Sequence, residues 1–238
     1  MSIAEKYSQI KEDMQRAALH FYCVDVAADI PRYTGLYNEA RQEFQGPEII
    51  AVSKCQPQAR INEALDAGLR HFGENKLQEA QDHWQDRRAE YPDLTLHMIG
   101  PIQSNKAAAA VALFDVIHSV DRKKIADALK SEMDKQQREL MCFIQVNIGE
   151  EPQKSGIMPA ELGAFVAYCR DDLGLKIAGL MCIPPENEGA GLYFSLLKKY
   201  ADLYDLTELS MGMSGDYQQS ALLGASYVRI GTALMGAR

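Results

Sequence analysis

The chain has 238 residues, and its 25 lysines and arginines against 33 aspartates and glutamates give a formal net charge of −8. This acidic balance, without a basic cluster large enough to follow a phosphate backbone, argues against nucleic acid and anionic membrane as partners. Charged residues interrupt the N-terminal segment, and no run of about 18 apolar residues occurs, so we expect a cytoplasmic protein. The five scattered cysteines, never arranged as C-x-x-C, predict neither a disulfide nor a structural zinc site.

A leader of residues 1–48 precedes the first predicted strand. Five of its apolar residues share one face of a helix: Ile10, Met14, Ala17, Ala18 and Phe21. We expect this helix to pack onto a barrel formed by residues 49–238, with the whole chain, 1–238, as a single domain.

Eight short apolar segments rich in β-branched residues then alternate with stretches of helical spacing. The eight predicted strands are 49–53, 71–75, 96–100, 116–120, 142–148, 177–183, 209–213 and 227–231. Between them, one helix should end at Gly68 and another should begin behind a cap at Asp121. Eight such units, without a Gly-rich turn after the first strand, favour an α/β (β/α)8 TIM-type barrel over an open doubly wound sheet.

Lys54 directly follows the first predicted strand, which places it at the mouth of such a barrel. A partly buried strand end can favour the neutral amine, and a neutral lysine can form a Schiff base with an aldehyde. The alternative is an ordinary exposed lysine at the end of a strand. Cys55 follows it, and the strand pleat should point that side chain away from the amine.

The segments after the seventh and eighth strands carry the residues of a phosphate site. Barrels of this kind often hold phosphate there with backbone N–H groups and the start of a short helix. Ser214 offers a hydroxyl donor and a helix N-cap, Gly231 permits close backbone approach, and Thr232 adds a second hydroxyl. The alternative is that Ser214 only caps a helix and Gly231 only turns the chain.

Arg229 lies between Val228 and Ile230 in the last strand and therefore points to the opposite face, into the barrel. Such an arginine needs a partner. One candidate is a buried ion pair with Glu74; the other is a ligand atom that accepts a hydrogen bond, such as a pyridine nitrogen. A lysine amine, a phosphate site and this arginine together indicate pyridoxal phosphate.

Further polar residues follow the second, third and fourth strands and should rim the pocket: Glu74, Asn75, Gln103, Ser104, Asn105, Lys106, Ser119 and Asp121. Asn75 could reach the cofactor ring or its hydroxyl, although helix capping is the alternative for each of these residues. His97 and His118 alternate with apolar neighbours inside strands, so we interpret them as hydrogen-bonded interior histidines and not as catalytic bases.

From about residue 49 onward the chain resembles the pyridoxal-phosphate homeostasis protein family, whose fold is like the barrel domain of alanine racemase, a fold-type III pyridoxal-phosphate protein. The matching stretches are 51–54, 71–75, 99–106, 145–148, 154–157, 179–181, 209–214 and 228–232. The chain departs from the family pattern at Cys55, where threonine is frequent, and in the segment 31–47.

The resemblance implies that Lys54 binds pyridoxal 5'-phosphate reversibly as a Schiff base. It also implies that Ser214, Gly231 and Thr232 hold the phosphate and that Arg229 faces the pyridine nitrogen. The function implied is vitamin B6 homeostasis, with pyridoxal-phosphate-dependent apoenzymes as possible recipients.

Arg229 is a permanently charged donor, which keeps a ring nitrogen unprotonated and makes the cofactor a weak electron sink. A racemase of this fold would also need a second acid/base, which in alanine racemase comes from a partner's second domain; here one of the 11 tyrosines could substitute. We therefore expect a monomeric, non-catalytic carrier with at most weak racemase-like activity. The alternatives are an amino-acid racemase or related enzyme that uses Lys54 as base, and a cofactor-free lysine aldolase.

Overall fold

The structure is a computed structural model that describes residues 1–26, 46–186 and 188–236, and the side chains of all of these except residues 19–26. The predicted packing of the Phe21 side chain and the predictions for most of the segment 31–47 fall outside what the structure describes. Within the described part of the chain, no helix is long and apolar enough to cross a membrane.

Eight parallel strands close into a barrel in which each strand pairs with the next along the chain and β8 pairs with β1. The strands are β1 Glu48–Val52, β2 His71–Glu74, β3 Thr95–Met98, β4 Val116–Val120, β5 Met141–Val146, β6 Ile177–Cys182, β7 Glu208–Ser210 and β8 Tyr227–Ile230. All eight predicted strands are confirmed. The seventh ends three residues earlier than predicted, because Gly212 adopts a φ of +94° and the chain leaves the sheet after Ser210.

Helices surround the barrel, the first of them before β1 and one of the others after each strand. They are α1 Ile3–Val26, α2 Gln58–Asp66, α3 Leu77–Trp84, α4 Ala107–Leu113, α5 Lys123–Gln136, α6 Leu162–Ala167, α7 Ala190–Leu203, α8 Tyr217–Leu222 and α9 Thr232–Met235. The buried side chains of α2 recur at helical spacing, and its end is followed by Gly68 with a φ of +88°, as predicted.

The predicted cap at Asp121 is wrong. Helix α5 begins at Lys123, and the residue at its N-cap position is Arg122, which provides no capping side-chain hydrogen bond. The Asp121 carboxylate instead forms an ion pair with the Arg122 guanidinium. The pKa of Asp121 is raised above its usual value, because burial outweighs the neighbouring arginine, which lowers it.

The leader helix α1 packs on the outside of the barrel, chiefly against α8 and also against α9 and α2. Ile10, Met14 and Ala18 are buried in this contact, whereas Ala17 is half-buried. Tyr217 of α8 donates a hydrogen bond to the Asp13 carboxylate over 3.0 Å. The expected added helix is therefore present, and it covers the helices that follow the seventh and eighth strands.

Candidate functional site

A cavity of about 320 Å³ opens at the carboxyl ends of β1, β2, β7 and β8. All six residues that the sequence singled out line it: Lys54, Asn75, Ser214, Arg229, Gly231 and Thr232. These residues come from both ends of the barrel sequence, and they meet because β8 pairs with β1. The arrangement places one amine, one guanidinium, one amide and two hydroxyls around a single space.

Lys54 lies in a tight turn that its two neighbours fix. Ser53 is fully buried, and its backbone N–H continues the β1–β2 pairing by donating to the Gly73 carbonyl over 3.0 Å. On the other side, the Cys55 N–H donates to the Glu79 carboxylate over 3.2 Å. Lys54 itself is half-buried and lines the cavity. Its amine has no hydrogen-bond or ion-pair partner among the described residues, which leaves it free for a ligand.

Cys55 does not line the cavity, as predicted, but the strand pleat is not the reason, because β1 ends at Val52 and Cys55 lies in the turn that follows. Its backbone has a φ of +56°, which is rare for a residue other than glycine, and its exposed thiol lies 3.9 Å from the Glu79 carboxylate. Three further cysteines with described side chains carry free thiols, namely Cys142, Cys169 and Cys182. In the described part of the chain, no group of three or more potential ligand side chains could hold a metal ion.

Asn75 follows β2 and lies where three cavities meet. It lines the 320 Å³ cavity and also neighbouring cavities of about 590 and 230 Å³. The oxygen of its side-chain amide is buried and has no hydrogen-bond partner among the described residues. A buried acceptor without a partner is costly, so this atom is suited to accept a hydrogen bond from a ligand hydroxyl.

Gly100 allows the backbone of Asn75 to lie where it does. A methyl group on Gly100 would stand 2.1 Å from the Asn75 carbonyl oxygen, which is backbone and cannot rotate away. We expect Gly100→Ala to displace Asn75 and weaken ligand binding at the cavity while destabilising the fold. Ligand titration and urea unfolding of the variant test this, with Gly189→Ala as control because a methyl group there meets none of the described residues within 4 Å. Unchanged ligand affinity in Gly100→Ala would contradict the prediction.

Arg229 points into the barrel and is 5% exposed. Its Nη1 donates to the Ser210 hydroxyl oxygen and its Nη2 to the Cys182 carbonyl oxygen, each over 2.8 Å. Burial lowers the pKa of this guanidinium from its usual value. The alternative of an ion pair with Glu74 is wrong, because Arg229 lies inside the barrel with these neutral partners.

Glu74 also differs from the prediction that it rims the mouth. It is fully buried, and among the described residues one of its carboxylate oxygens makes all the hydrogen bonds of this side chain: with the Ser53 hydroxyl at 2.7 Å, His83 Nδ1 at 2.8 Å and Trp84 Nε1 at 3.2 Å. Glu74 is the last residue of β2 and its side chain lies on the face towards α3, whereas the next residue, Asn75, lines the cavity. Glu74 thus joins the end of β1, just before Lys54, to α3.

His83 should make stability depend on pH. Its hydrogen bond to Glu74 raises its pKa above the usual 6.5, outweighing burial, which lowers it. Because the folded pKa exceeds the unfolded one, the stabilisation is fully present below pH 6.5 and is lost as pH rises through the raised folded pKa. We expect the difference in unfolding free energy between the natural chain and His83→Gln to shrink from about pH 5.5 to about pH 8.5. Urea unfolding at both pH values measures it; a constant difference would contradict the assignment.

The three residues predicted for a phosphate site, Ser214, Gly231 and Thr232, line the same cavity, although one predicted role is wrong. Ser214 is not an N-cap: α8 begins at Tyr217 with Asp216 at the cap position. The Ser214 hydroxyl oxygen instead accepts a hydrogen bond from the Ala233 N–H over 3.2 Å, which ties the segment after β7 to α9. Gly231 occupies the N-cap position of α9, and among the described residues a methyl group there would meet only Val52, at 3.7 Å.

The other predicted rim residues lie elsewhere. Gln103 and Lys106 line the 590 Å³ cavity on the far side of Asn75, and Ser104–Lys106 forms a 3-10 helix. Ser119 is buried and its hydroxyl donates to the Gly100 carbonyl over 2.6 Å. Of all the residues expected at the rim after the second to fourth strands, Asn75 is the one that lines the 320 Å³ cavity.

His97 and His118 are fully buried and hydrogen-bonded to each other over 2.9 Å, as interior histidines. Burial lowers the pKa of both well below the usual value. His71 is hydrogen-bonded to His97, and His118 lies 2.8 Å from the Ser210 hydroxyl; neither contact could be predicted, because both depend on how neighbouring strands are offset.

Further residues of the cavity wall were also not predicted: Val52, Gln56, Ile99, Ile183, Met213, Gly215 and Gly236. Ile183 and Met213 are 38% and 37% exposed, so they form an apolar part of the mouth. Their positions directly after β6 and in the segment after β7 are a signal that could have identified them.

Residues 36–238 match the family model described as alanine racemase, N-terminal domain. The pyridoxal phosphate homeostasis protein of Pseudomonas aeruginosa is 44% identical over 197 residues, covering 80% of this chain and 84% of that protein. The protein of the same name from Escherichia coli K12 is 39% identical over 202 residues, covering 80% and 85%.

Two solved structures are also similar to this chain. PipY of Synechococcus elongatus PCC7942, with PLP bound, has a TM-score of 0.75 and 38% identity over 84% of this chain and 98% of that chain. Alanine racemase of Corynebacterium glutamicum shares the fold alone, with a TM-score of 0.63 at 15% identity, and this chain covers 60% of it. The closed eight-stranded barrel and these likenesses together show that the chain belongs to the alanine racemase N-terminal domain family, among the pyridoxal phosphate homeostasis proteins.

Proposed function

We propose that this protein binds pyridoxal 5'-phosphate in the 320 Å³ cavity and serves vitamin B6 homeostasis by holding the cofactor reversibly on Lys54. The aldehyde of this cofactor condenses with a primary amine with loss of water, and the condensation is reversible. The observation that carries the proposal is that Lys54 and five further polar or glycine residues converge on one cavity.

Each part of the cofactor finds a matching group in the cavity wall. The Lys54 amine lacks a partner among the described residues, and the buried Asn75 oxygen can accept a hydrogen bond from the ring hydroxyl. Ser214 and Thr232 supply hydroxyl donors where the segments after β7 and β8 meet, and Gly231 leaves room for a phosphate. Arg229 reaches the same cavity from β8 and supplies a guanidinium donor for the ring nitrogen.

Arg229 also favours a protein that holds the cofactor over an enzyme that uses it for catalysis. A guanidinium stays protonated and can only donate, so a pyridine nitrogen facing it remains an unprotonated acceptor. Electron withdrawal by the ring is then weak, and removal of a proton next to the bound amine is slow. We therefore propose a carrier that acts in the cytoplasm as a monomeric single domain and passes the cofactor to apoenzymes that require it. Sedimentation of the purified chain tests the monomer.

The first test is spectroscopic. Titration of the purified protein with pyridoxal phosphate should produce a yellow absorbance band at a stoichiometry of one, and borohydride should fix the cofactor to a peptide that contains Lys54. A protein that takes up no cofactor would overturn the proposal, and modification spread over many lysines would show unspecific reaction of the aldehyde.

A second measurement separates the carrier from a racemase. Amino acids deuterated at the α-carbon are incubated with the loaded protein, and loss of the label is followed by mass spectrometry. We expect loss no faster than with free cofactor. Fast loss that Lys54→Ala abolishes would assign a racemase or related enzyme instead, and borohydride trapping of a carbonyl substrate by a colourless protein would assign an aldolase.

A further inference from the structure

A row of polar side chains runs through the inside of the barrel, from the cavity wall to the opposite end. Ser210 Oγ, which accepts from Arg229, lies 2.8 Å from His118 Nδ1. His118 Nε2 lies 2.9 Å from His97 Nδ1, and His97 Nε2 lies 3.0 Å from His71 Nδ1. We call Ser210, His118, His97 and His71 the histidine row. Three of its members are fully buried, whereas His71, the first residue of β2, is half-buried.

The direction of one hydrogen bond in the row fixes the direction of all the others. A neutral imidazole has one nitrogen that donates and one that accepts, and each histidine in the middle of the row uses both. If Ser210 donates to His118, both His118 and His97 must carry their hydrogen on Nε2. If instead His71 donates from Nδ1, both must carry their hydrogen on Nδ1, and Ser210 becomes an acceptor.

With all three histidines neutral, the first direction is favoured. Arg229 can only donate, so it always occupies one lone pair of the Ser210 oxygen. Donation from Ser210 to His118 then gives the hydroxyl hydrogen an acceptor and makes every bond head-to-tail from Arg229 to His71, which strengthens each of them. In the reverse direction the Ser210 oxygen receives two donors, and its hydrogen loses the His118 acceptor.

Of the row, His71 is the member that can take up a proton from solvent. The pKa of His71 is lowered, because burial has the largest influence. The carboxylates of Glu48, at the start of β1, and of Asp115, just before β4, act in the opposite direction and raise it. Asp115 is itself paired with Arg88 and Arg138, and the Tyr227 ring of β8 lies 6.5 Å from the His71 ring. His97 and His118 stay neutral because burial penalises their charged forms.

We propose that protonation of His71 reverses the histidine row and thereby changes the hydrogen bond that Ser210 makes with Arg229. A doubly protonated His71 must donate from Nδ1, so His97 and His118 move their hydrogens to Nδ1 and His118 donates to Ser210. One proton is taken up from solvent, and no bond other than N–H and O–H bonds changes. His118, His97 and His71 are thus positioning residues, which act on Arg229 through Ser210. That the same change reaches a cofactor bound beside Arg229 rests on the proposed function.

Nitrogen-15 NMR of the histidines in ligand-free protein tests the row directly. We expect His97 and His118 to be Nε2–H tautomers at high pH and to convert fully to Nδ1–H tautomers with the midpoint at which His71 becomes protonated. The conversion should be absent in His71→Gln and unchanged in His83→Gln, because His83 contacts Glu74 outside the row. If His97 and His118 keep their tautomers while His71 titrates, the proposal is overturned. If His71→Gln does not fold, the nitrogen-15 titration of the natural chain is sufficient to test the proposal.

The second arm uses protein loaded with pyridoxal phosphate. We expect its visible band to shift with the His71 midpoint, and this shift to disappear in His71→Gln but to persist in His83→Gln. A band shift that is identical in His71→Gln would overturn the coupling to Arg229. A protein that takes up no cofactor would contradict the proposed function, while the NMR experiment would still decide the row.

Discussion

Lys54→Ala should abolish attachment of pyridoxal phosphate that borohydride can fix, because no other primary amine among the described residues lines the 320 Å³ cavity. We expect the yellow band to vanish and affinity to fall by at least about tenfold, since loss of the covalent bond costs more than ~1.4 kcal/mol. Absorbance titration and peptide mapping after reduction measure both effects. Stability without ligand should change little, because the Lys54 amine contacts none of the described polar groups.

The matched control is Lys76→Ala. Lys76 is 73% exposed in its side chain, pairs with Glu79 and lines the neighbouring 590 Å³ cavity instead. This variant should keep the band, the affinity and the labelled peptide. A Lys54→Ala protein that still forms a reducible adduct at one defined lysine would show that the imine-forming amine has been wrongly assigned.

Glu74→Ala should lower the free energy of unfolding by about 3–5 kcal/mol, as expected for removing one partner of a buried, hydrogen-bonded charge. The change leaves the Ser53 hydroxyl, His83 and the Trp84 indole N–H without their shared acceptor. Because Ser53 precedes Lys54, we also expect weaker cofactor binding. Urea unfolding and absorbance titration measure the two effects.

Glu63→Ala is the control for this prediction. Its carboxylate is 54% exposed and pairs with Arg60 on the surface of α2. Loss of such a pair should change the free energy of unfolding by no more than about 0.5 kcal/mol. Similar losses in Glu74→Ala and Glu63→Ala would mean that the buried Glu74 cluster contributes no more than a surface ion pair.

The barrel could be predicted from the sequence because the hydrophobic pattern of a parallel strand is local. A run such as 49–53 is apolar on both faces, as burial on both sides requires, and the helical spacing of Ile61, Ala64 and Leu65 is equally local. The prediction of a helix cap at Asp121 was wrong for a different reason, which is also local. The neighbouring Arg122 competes for the same carboxylate, and the residue type alone does not reveal which contact forms.

The residues around the cavity could be predicted because the carboxyl ends of all eight strands meet at one end of the barrel. The hydrogen-bond partners of these residues could not be predicted, because they depend on how far neighbouring strands are shifted along each other. Thr95 pairs with His71 and Val116 pairs with His97, so each histidine of the row meets the next one from a strand shifted by two residues. The same offset between β7 and β8 brings Ser210 to Arg229, whereas Glu74 faces α3 and lies away from Arg229.

The pairing of β8 with β1 has a consequence for the order of folding. Lys54 follows the first strand and Arg229 lies in the last, so the cavity cannot form before the two ends of the barrel meet. Contacts between residues so distant in sequence are slow to form, because a long loop must close first. A cofactor that binds at this closure stabilises the closed barrel by mass action and gives no such support to partly assembled chains. The yellow colour of the bound cofactor would thus report completion of the barrel, and during refolding it should appear after the helical signal in the far ultraviolet.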